Sequence, residues 1–184
     1  ARDMWDTFWL QLSEKSKAQN EKLLLRTHTS PVQIRYMEKR QPPFQIIVPG
    51  RVFRYEATDA SHEINFHQIE GLMVGPDVTL ANFKYIIDTF FKQLFGPQVQ
   101  TRFRPSYFPF VEPGLEVDIQ LNGKWLEVMG AGMVHPNVFR AVGYDLSKVQ
   151  GFAFGLGLER LAMIKYKIPD IRLFYSGDLR FINQ

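Results

Sequence analysis

Leu115-Glu-Val-Asp-Ile-Gln-Leu121, then Asn122-Gly123, then Lys124-Trp-Leu-Glu-Val-Met129: this stretch decides the fold. Apolar and polar residues alternate on both sides of an asparagine-glycine pair, the favoured two-residue connection of an antiparallel hairpin. If that pair is the whole loop, Leu121 faces Lys124, Ile119 faces Leu126 and Asp118 faces Glu127. Val117, Ile119, Leu126 and Val128 then share the core side. Glu116, Asp118, Trp125 and Glu127 share the other, where opposed carboxylates repel unless water or a cation separates them. A solvated acidic face is one reading. The other singles out Glu127, which leads into Gly130-Ala-Gly132, as a carboxylate for magnesium or an amino group.

Working outward from the hairpin, Leu80, Phe83, Ile87, Phe90 and Leu94 recur at helical spacing between Thr79 and Phe95, and Gly96-Pro97 stops the pattern. Towards the amino terminus, Ser30 caps a helix over Pro31–Lys39, which Gln41-Pro42-Pro43 ends. Ile46-Ile47-Val48 reads as a short strand closed by Pro49-Gly50. A second strand, Val52–Glu56, sends Val52, Arg54 and Glu56 to one face, and residues 57–65 turn the chain back into Phe66–Val74. Short helices follow from Pro136 to about Val142 and from Gly155 to Lys167. The order is α+β: an antiparallel β-sheet flanked by helices.

A chain of 184 residues suits one domain, which at this size buries roughly 70% of its unfolded surface. The absence of cysteine excludes disulfides, cysteine-zinc sites and thiol catalysis. A net charge of +3 without basic blocks argues little for nucleic acid. No apolar run approaches the ~20 residues that span a bilayer, and no signal-peptide pattern opens the chain, so the expectation is a cytoplasmic protein with no membrane association. His67 and His135 have no partner at zinc-ligand spacing, form no tetrahedral set with His62, and read as structural.

Two segments carry phosphate chemistry. Arg54-Tyr55-Glu56 is followed by His62-x-x-x-Phe66, and Gly151-Phe-Ala-Phe-Gly-Leu-Gly-Leu-Glu-Arg160 puts a cation in a first helical turn, where the macrodipole disfavours it unless an anion is near. These residues resemble motifs 2 and 3 of the class II aminoacyl-tRNA synthetases. Thr27-His28-Thr29-Ser30, Gly50–Arg54, Phe66–Gly71, Phe108-Pro-Phe110 and Gly130–Pro136 narrow the resemblance to the catalytic (alpha) subunits of bacterial phenylalanyl-tRNA synthetases, over nearly the whole chain. Gly155-x-Gly157 is no dinucleotide fingerprint, since Arg160 replaces the third glycine and no βαβ unit surrounds it.

The resemblance implies ATP-dependent activation of L-phenylalanine and transfer to tRNA(Phe). In it Arg54 holds the α-phosphate and the substrate carboxylate, while Arg160 holds the γ-phosphate beside an adenine that lies on Phe66. Glu56 accepts from the adenine amino group, His62 approaches the outer phosphates, and Mg2+ bridges phosphates with Glu127 near it. Phe108 and Phe110 grip the phenylalanine ring, which fits between them, over a floor made by Ala153. His28, Ser30, Gln68 and Glu70 meet the ammonium, and Trp5 lies near the entrance. The bland readings are a surface Arg54 paired with Glu56, ordinary core for the two phenylalanines, and capping for Ser30.

The resemblance also implies a larger beta subunit as partner in an (alpha-beta)2 heterotetramer. Ala1 falls where the dimer-forming first motif should end, and the tRNA-contacting coiled coil is missing. Residues 1–184 are therefore expected to be a catalytic domain with motifs 2 and 3 alone. Leu12–Glu21 is unusually polar where the family has a hairpin. Two other classes compete: a synthetase-like assembly module that lost catalysis, which should have lost Arg54 and Arg160, and an adenylating relative for another acid, such as a phosphorylated amino acid, which would want cations where Phe108, Phe110 and Ala153 stand.

Overall fold

A computed structural model describes residues 7–11 and 23–183. Six antiparallel strands form one sheet: β1 (Phe44–Phe53), β2 (Asn65–Gly75), β3 (Gln100–Phe108), β4 (Val111–Leu121), β5 (Lys124–Val134) and β6 (Gln150–Gly157), in the spatial order β1-β2-β6-β5-β4-β3. The helices are α1 (Ser30–Met37), α2 (Leu80–Phe95), α3 (Pro136–Ala141), α4 (Leu158–Tyr166) and α5 (Leu179–Ile182), with a 3-10 turn over Ile171–Tyr175. The α+β architecture is the expected one.

Alternation along the strands feeds two cores. Ile69 and Met73 of β2 pack with Phe83, Ile87 and Phe91 of α2 and with Leu161 of α4 on one side of the sheet. Leu72 and Val74 point the other way, to Met37 of α1 and Phe139 of α3. Tyr144 closes this second core, its hydroxyl donating to the carbonyls of Met37, at 2.8 Å, and of Arg40. Thr79 and Asn82 exchange bonds in a capping box that starts α2 where the periodicity began.

The hairpin register is as expected, with Leu121 opposite Lys124, Ile119 opposite Leu126 and Asp118 opposite Glu127. Beyond it the register shifts, Val117 facing Met129, so that Val128 and Met129 are both buried. The acidic face is not a uniformly solvated one. Asp118 is only 2% exposed and lies under Arg102 and Arg104 of β3, a strand the periodicity did not disclose because its inward residues alternate with arginines and a proline.

Several local expectations are corrected. Pro49-Gly50 does not end a strand: β1 runs through both, because it is an edge strand where a missing N–H costs no ladder bond. Arg54 and Glu56 lie beyond the end of β1, so they do not share a pleat with Val52, which is fully buried. Thr29, not Ser30, occupies the N-cap of α1, its hydroxyl donating to the Val48 carbonyl at 3.0 Å. The run from Gly151 to Gly157 is a central strand, and the helix begins only at Leu158. Near the amino terminus the Leu10 N–H bonds the Leu23 carbonyl and the Leu25 N–H bonds the Phe8 carbonyl. Trp5 and the polar segment 12–21 lie outside the described residues.

Candidate active site

Small residues at the centre of the sheet make room for a ligand. Gly130 pairs with Gly155 and Gly132 with Ala153 across β5 and β6. Above this patch opens a cleft of about 1100 Å³, walled by β2, β5, β6, the start of α1, the β3–β4 turn and the first turn of α4. A side chain at Gly155 would fill it, since a Cβ there would sit 3.0 Å from Gln68 Nε2 and 3.3 Å from Glu70 Cγ.

The cleft's lining includes Arg54, His62, Phe66 and Arg160 together with His28, Ser30, Gln68, Glu70, Phe108, Phe110, Ala153 and Glu127. Glu56 is not part of the lining, although its charge acts on Arg54. Trp5 is outside the described residues.

Arg54 is held from two sides. Its Nε donates to the Thr27 carbonyl at 3.2 Å, and its guanidinium carbon stands 5.3 Å from the Phe66 ring centroid. Burial pulls its pKa below the ordinary arginine value, while Glu56 and Glu70 push back. His28, close to Phe110 at 6.3 Å between ring centroids, has its pKa lowered by burial and then by Arg54. Among the described residues Arg160 makes no side-chain hydrogen bond or ion pair; it is half-buried in the first turn of α4 and lines the cleft.

Glu70 sits at the opening of α1 as an anion at a helix N-terminus. The Thr29 N–H donates to its Oε1 at 3.1 Å and Gln33 Nε2 to its Oε2 at 2.7 Å, and the nearby Ser30 hydroxyl and N–H also favour its charge. Burial nevertheless dominates and raises its pKa above the usual carboxylate range. Beside it, Gln68 Oε1 is buried with no protein partner among the described residues. An acceptor left open next to a buried carboxylate is what an ammonium would satisfy.

Phe108 and Phe110 lie nearly parallel, at 18° and 6.4 Å between centroids, with Phe108 laid over Gly130. Both rings line the cleft, where an aromatic ligand ring could meet them face or edge.

Sequence reasoning missed the residues that hold these groups. Asp59 fixes His62, accepting from its backbone N–H at 2.8 Å and lying 3.0 Å from Nδ1; bonds from Ser61 and His62 hold the Asp59 carboxyl well below its usual range. Asp59-x-Ser61-His62 is a short polar turn, so this signal was available. Gln33 stands one turn after Ser30. His67 is structural as expected: its N–H and Nδ1 both meet Glu159, at 2.9 and 2.8 Å. His135 caps α3, accepting from the Asn137 N–H.

Among the described residues no group of three or more acidic or histidine side chains is placed to cage a metal. Glu116 is bound to Arg104 and Ser106, and Asp118 to two arginines. Glu127 is left on the cleft wall, 59% exposed, with a long 3.4 Å contact to Arg104. One carboxylate suits magnesium, which commonly takes one or two from protein and the remainder from phosphate and water. No helix among the described residues is long and apolar enough to cross a membrane.

Comparison with known proteins agrees with this geometry. The family model "tRNA synthetases class II core domain (F)" matches residues 1–184. The phenylalanine--tRNA ligase alpha subunit of Rickettsia rickettsii (strain Sheila Smith) is 54% identical over 185 residues, covering 99% of this chain and 52% of the relative. That of Synechocystis sp. is 54% identical over 184 residues, covering 100% and 53%, and that of Syntrophobacter fumaroxidans 50% over 196 residues, covering 100% and 55%. The chain thus spans about half the length of the curated relatives it matches. An antiparallel sheet carrying one arginine just beyond an edge strand and another in the turn after a glycine-rich central strand agrees with the match along the full chain, which belongs to the class II tRNA synthetase core-domain family.

Proposed function

We propose that this domain activates L-phenylalanine with ATP, forming phenylalanyl adenylate and pyrophosphate, and passes the phenylalanyl group to tRNA(Phe). The observation that carries the reading is that Arg54 and Arg160, from distant parts of the chain, line the same cleft as Phe108, Phe110 and Ala153.

The chemistry needs no protein nucleophile. The amino-acid carboxylate attacks the α-phosphorus and pyrophosphate leaves in line, so rate comes from alignment and charge neutralisation in a preorganised site. Arg54, pinned by Thr27 and Phe66, meets both the carboxylate and the α-phosphate with its planar fork. Adenine lies on Phe66 with Arg160 on its other side, and Arg160 and His62 take the outer phosphates. Gln68, Glu70 and Ser30 receive the ammonium; the benzyl ring rests on Phe108 and Phe110 above Ala153. Glu127 would hold Mg2+, which neutralises phosphate charge when bound. Glu56, whose charge acts on Arg54, accepts from the adenine amino group. A larger beta subunit, in an (alpha-beta)2 assembly in the cytoplasm, completes the proposal.

Phenylalanine-dependent pyrophosphate exchange tests it, with tyrosine and phosphoserine as competitors. Exchange should be strongest with phenylalanine and nearly vanish in Arg54→Ala and Arg160→Ala while the circular dichroism spectrum is retained. Undiminished exchange in both variants overturns the mechanism.

A further inference from the structure

The two sides of the proposed adenine slot come from different elements, Phe66 from β2 and Arg160 from α4. The residue following Phe66 is bonded to the residue preceding Arg160. Glu159, 5% exposed, accepts from the His67 N–H with both oxygens, at 3.0 and 2.9 Å, and faces His67 Nδ1 at 2.8 Å. Tyr175, from the 3-10 turn, donates its hydroxyl to the same carboxylate at 2.5 Å. Glu159 thereby spends its acceptor capacity on one strand and one turn, on the far side of β2 from the cleft.

We propose that Glu159, His67 and Tyr175 form a clamp that sets the distance between Phe66 and Arg160, and so act as positioning residues for ATP. This rests on the reading of the cleft as an ATP site. The physical ground is specific. Phe66 and His67 are consecutive on a strand, so their side chains leave opposite faces, and fixing the His67 backbone N–H fixes the plane on which the Phe66 ring stands. Glu159 and Arg160 are consecutive in a first helical turn, where the backbone N–H groups lack helical partners and the helix end is free to fray. Three bonds to a buried carboxylate remove that freedom. Arg160 can then carry its charge into the cleft without a side-chain bond to any of the described residues, because its neighbour supplies the anchorage.

A residue with a purely structural role would lower stability and leave the two substrates affected alike. A clamp on the adenine slot separates them. In the full-length protein with its native partner, Tyr175→Phe removes one hydroxyl and should raise the KM for ATP about threefold. Glu159→Gln keeps an acceptor but sets an N–H against a donor, and should raise it about tenfold. The KM for phenylalanine should change less than twofold in both, and the thermal midpoint of Tyr175→Phe should stay within a few degrees of the parent. Unchanged ATP KM in both variants, or equal changes for ATP and phenylalanine, overturns the clamp. Arg160→Ala is the control on the underlying reading: if it leaves exchange intact the ATP site itself fails, whereas lost exchange in Arg160→Ala with unaffected clamp variants discards the clamp alone.

Discussion

Asp118 stands opposite Glu127 across the β4–β5 hairpin, and Arg104 from the next strand reaches both, its Nε 2.6 Å from Asp118 and its Nη2 3.4 Å from Glu127. The cation that two facing carboxylates demand is thus supplied by the protein. Arg102 adds a second bond to Asp118 at 2.9 Å while stacking on Trp125 at 4.3 Å. Because Asp118 is so occupied, Glu127 is the carboxylate free to face the cleft.

Asp118→Asn should cost about 2 kcal/mol, since two arginines lose a buried charged acceptor. Urea unfolding at neutral pH checks it. The pH dependence has a definite sign. Hydrogen bonds from Arg104, then Arg102, depress the Asp118 pKa in the folded state. Its stabilisation is fully present above the ordinary carboxylate pKa of about 3.9 and is lost as pH falls from there through the lower folded value. The variant should therefore lose less stability than the parent across that acid window.

Glu70 behaves oppositely. Burial raises its folded pKa, so between the ordinary value and the raised one the native state holds the extra proton and stability declines as pH rises. Glu70→Gln should leave stability at pH 7 equal or higher by urea unfolding. It should also raise the KM for phenylalanine about tenfold, by loss of the ammonium's counter-charge, with the ATP KM nearly unchanged. In the parent, phenylalanine affinity should weaken as pH falls through the raised Glu70 pKa; in the variant that dependence should flatten.

Gly155→Ala should damage amino-acid binding selectively. The new methyl would meet Gln68 Nε2 at 3.0 Å and Glu70 Cγ at 3.3 Å, pushing both from the proposed ammonium position. A rise of about tenfold in the phenylalanine KM, with the ATP KM within twofold, is the expected kinetic result.

Gly71→Ala should act on the fold instead. A Cβ there would lie 2.2 Å from the Phe154 ring, which crosses the strand at that point. Expelling a half-buried phenylalanine should cost about 2–4 kcal/mol by denaturant titration.

Ala153→Gly should widen the pocket floor and admit para-substituted phenylalanines in pyrophosphate exchange, with phenylalanine itself bound somewhat less well. An apolar floor discriminates against an added hydroxyl only by shape, at about 100-fold or less. Misactivation of tyrosine should be measurable in the parent and larger in the variant.

Much of the hairpin at the centre of the fold was legible because its register follows from a period of two and an obligatory turn residue, both local quantities. The helix at Leu80–Phe95 was legible for the same reason, as was the division of β2 into Phe66, Gln68 and Glu70 on one face. Strands β3 and β6 were not. Arg102, Arg104 and Pro105 interrupt one apolar pattern, and in the other glycines replace side chains on the face that lines the cleft. An empty face has no hydrophobic signature.

Residue types and spacing by themselves determined which groups could handle phosphate, ammonium and a benzyl ring, since guanidinium, carboxylate, amide and phenyl carry their chemistry wherever they stand. Tertiary packing decided which of them share a cleft, that Glu56 stands outside its wall, and that Asp118 belongs to Arg104. Those outcomes depend on long-range pairing of strands distant in the chain, and no local periodicity encodes the partner a buried charge will meet.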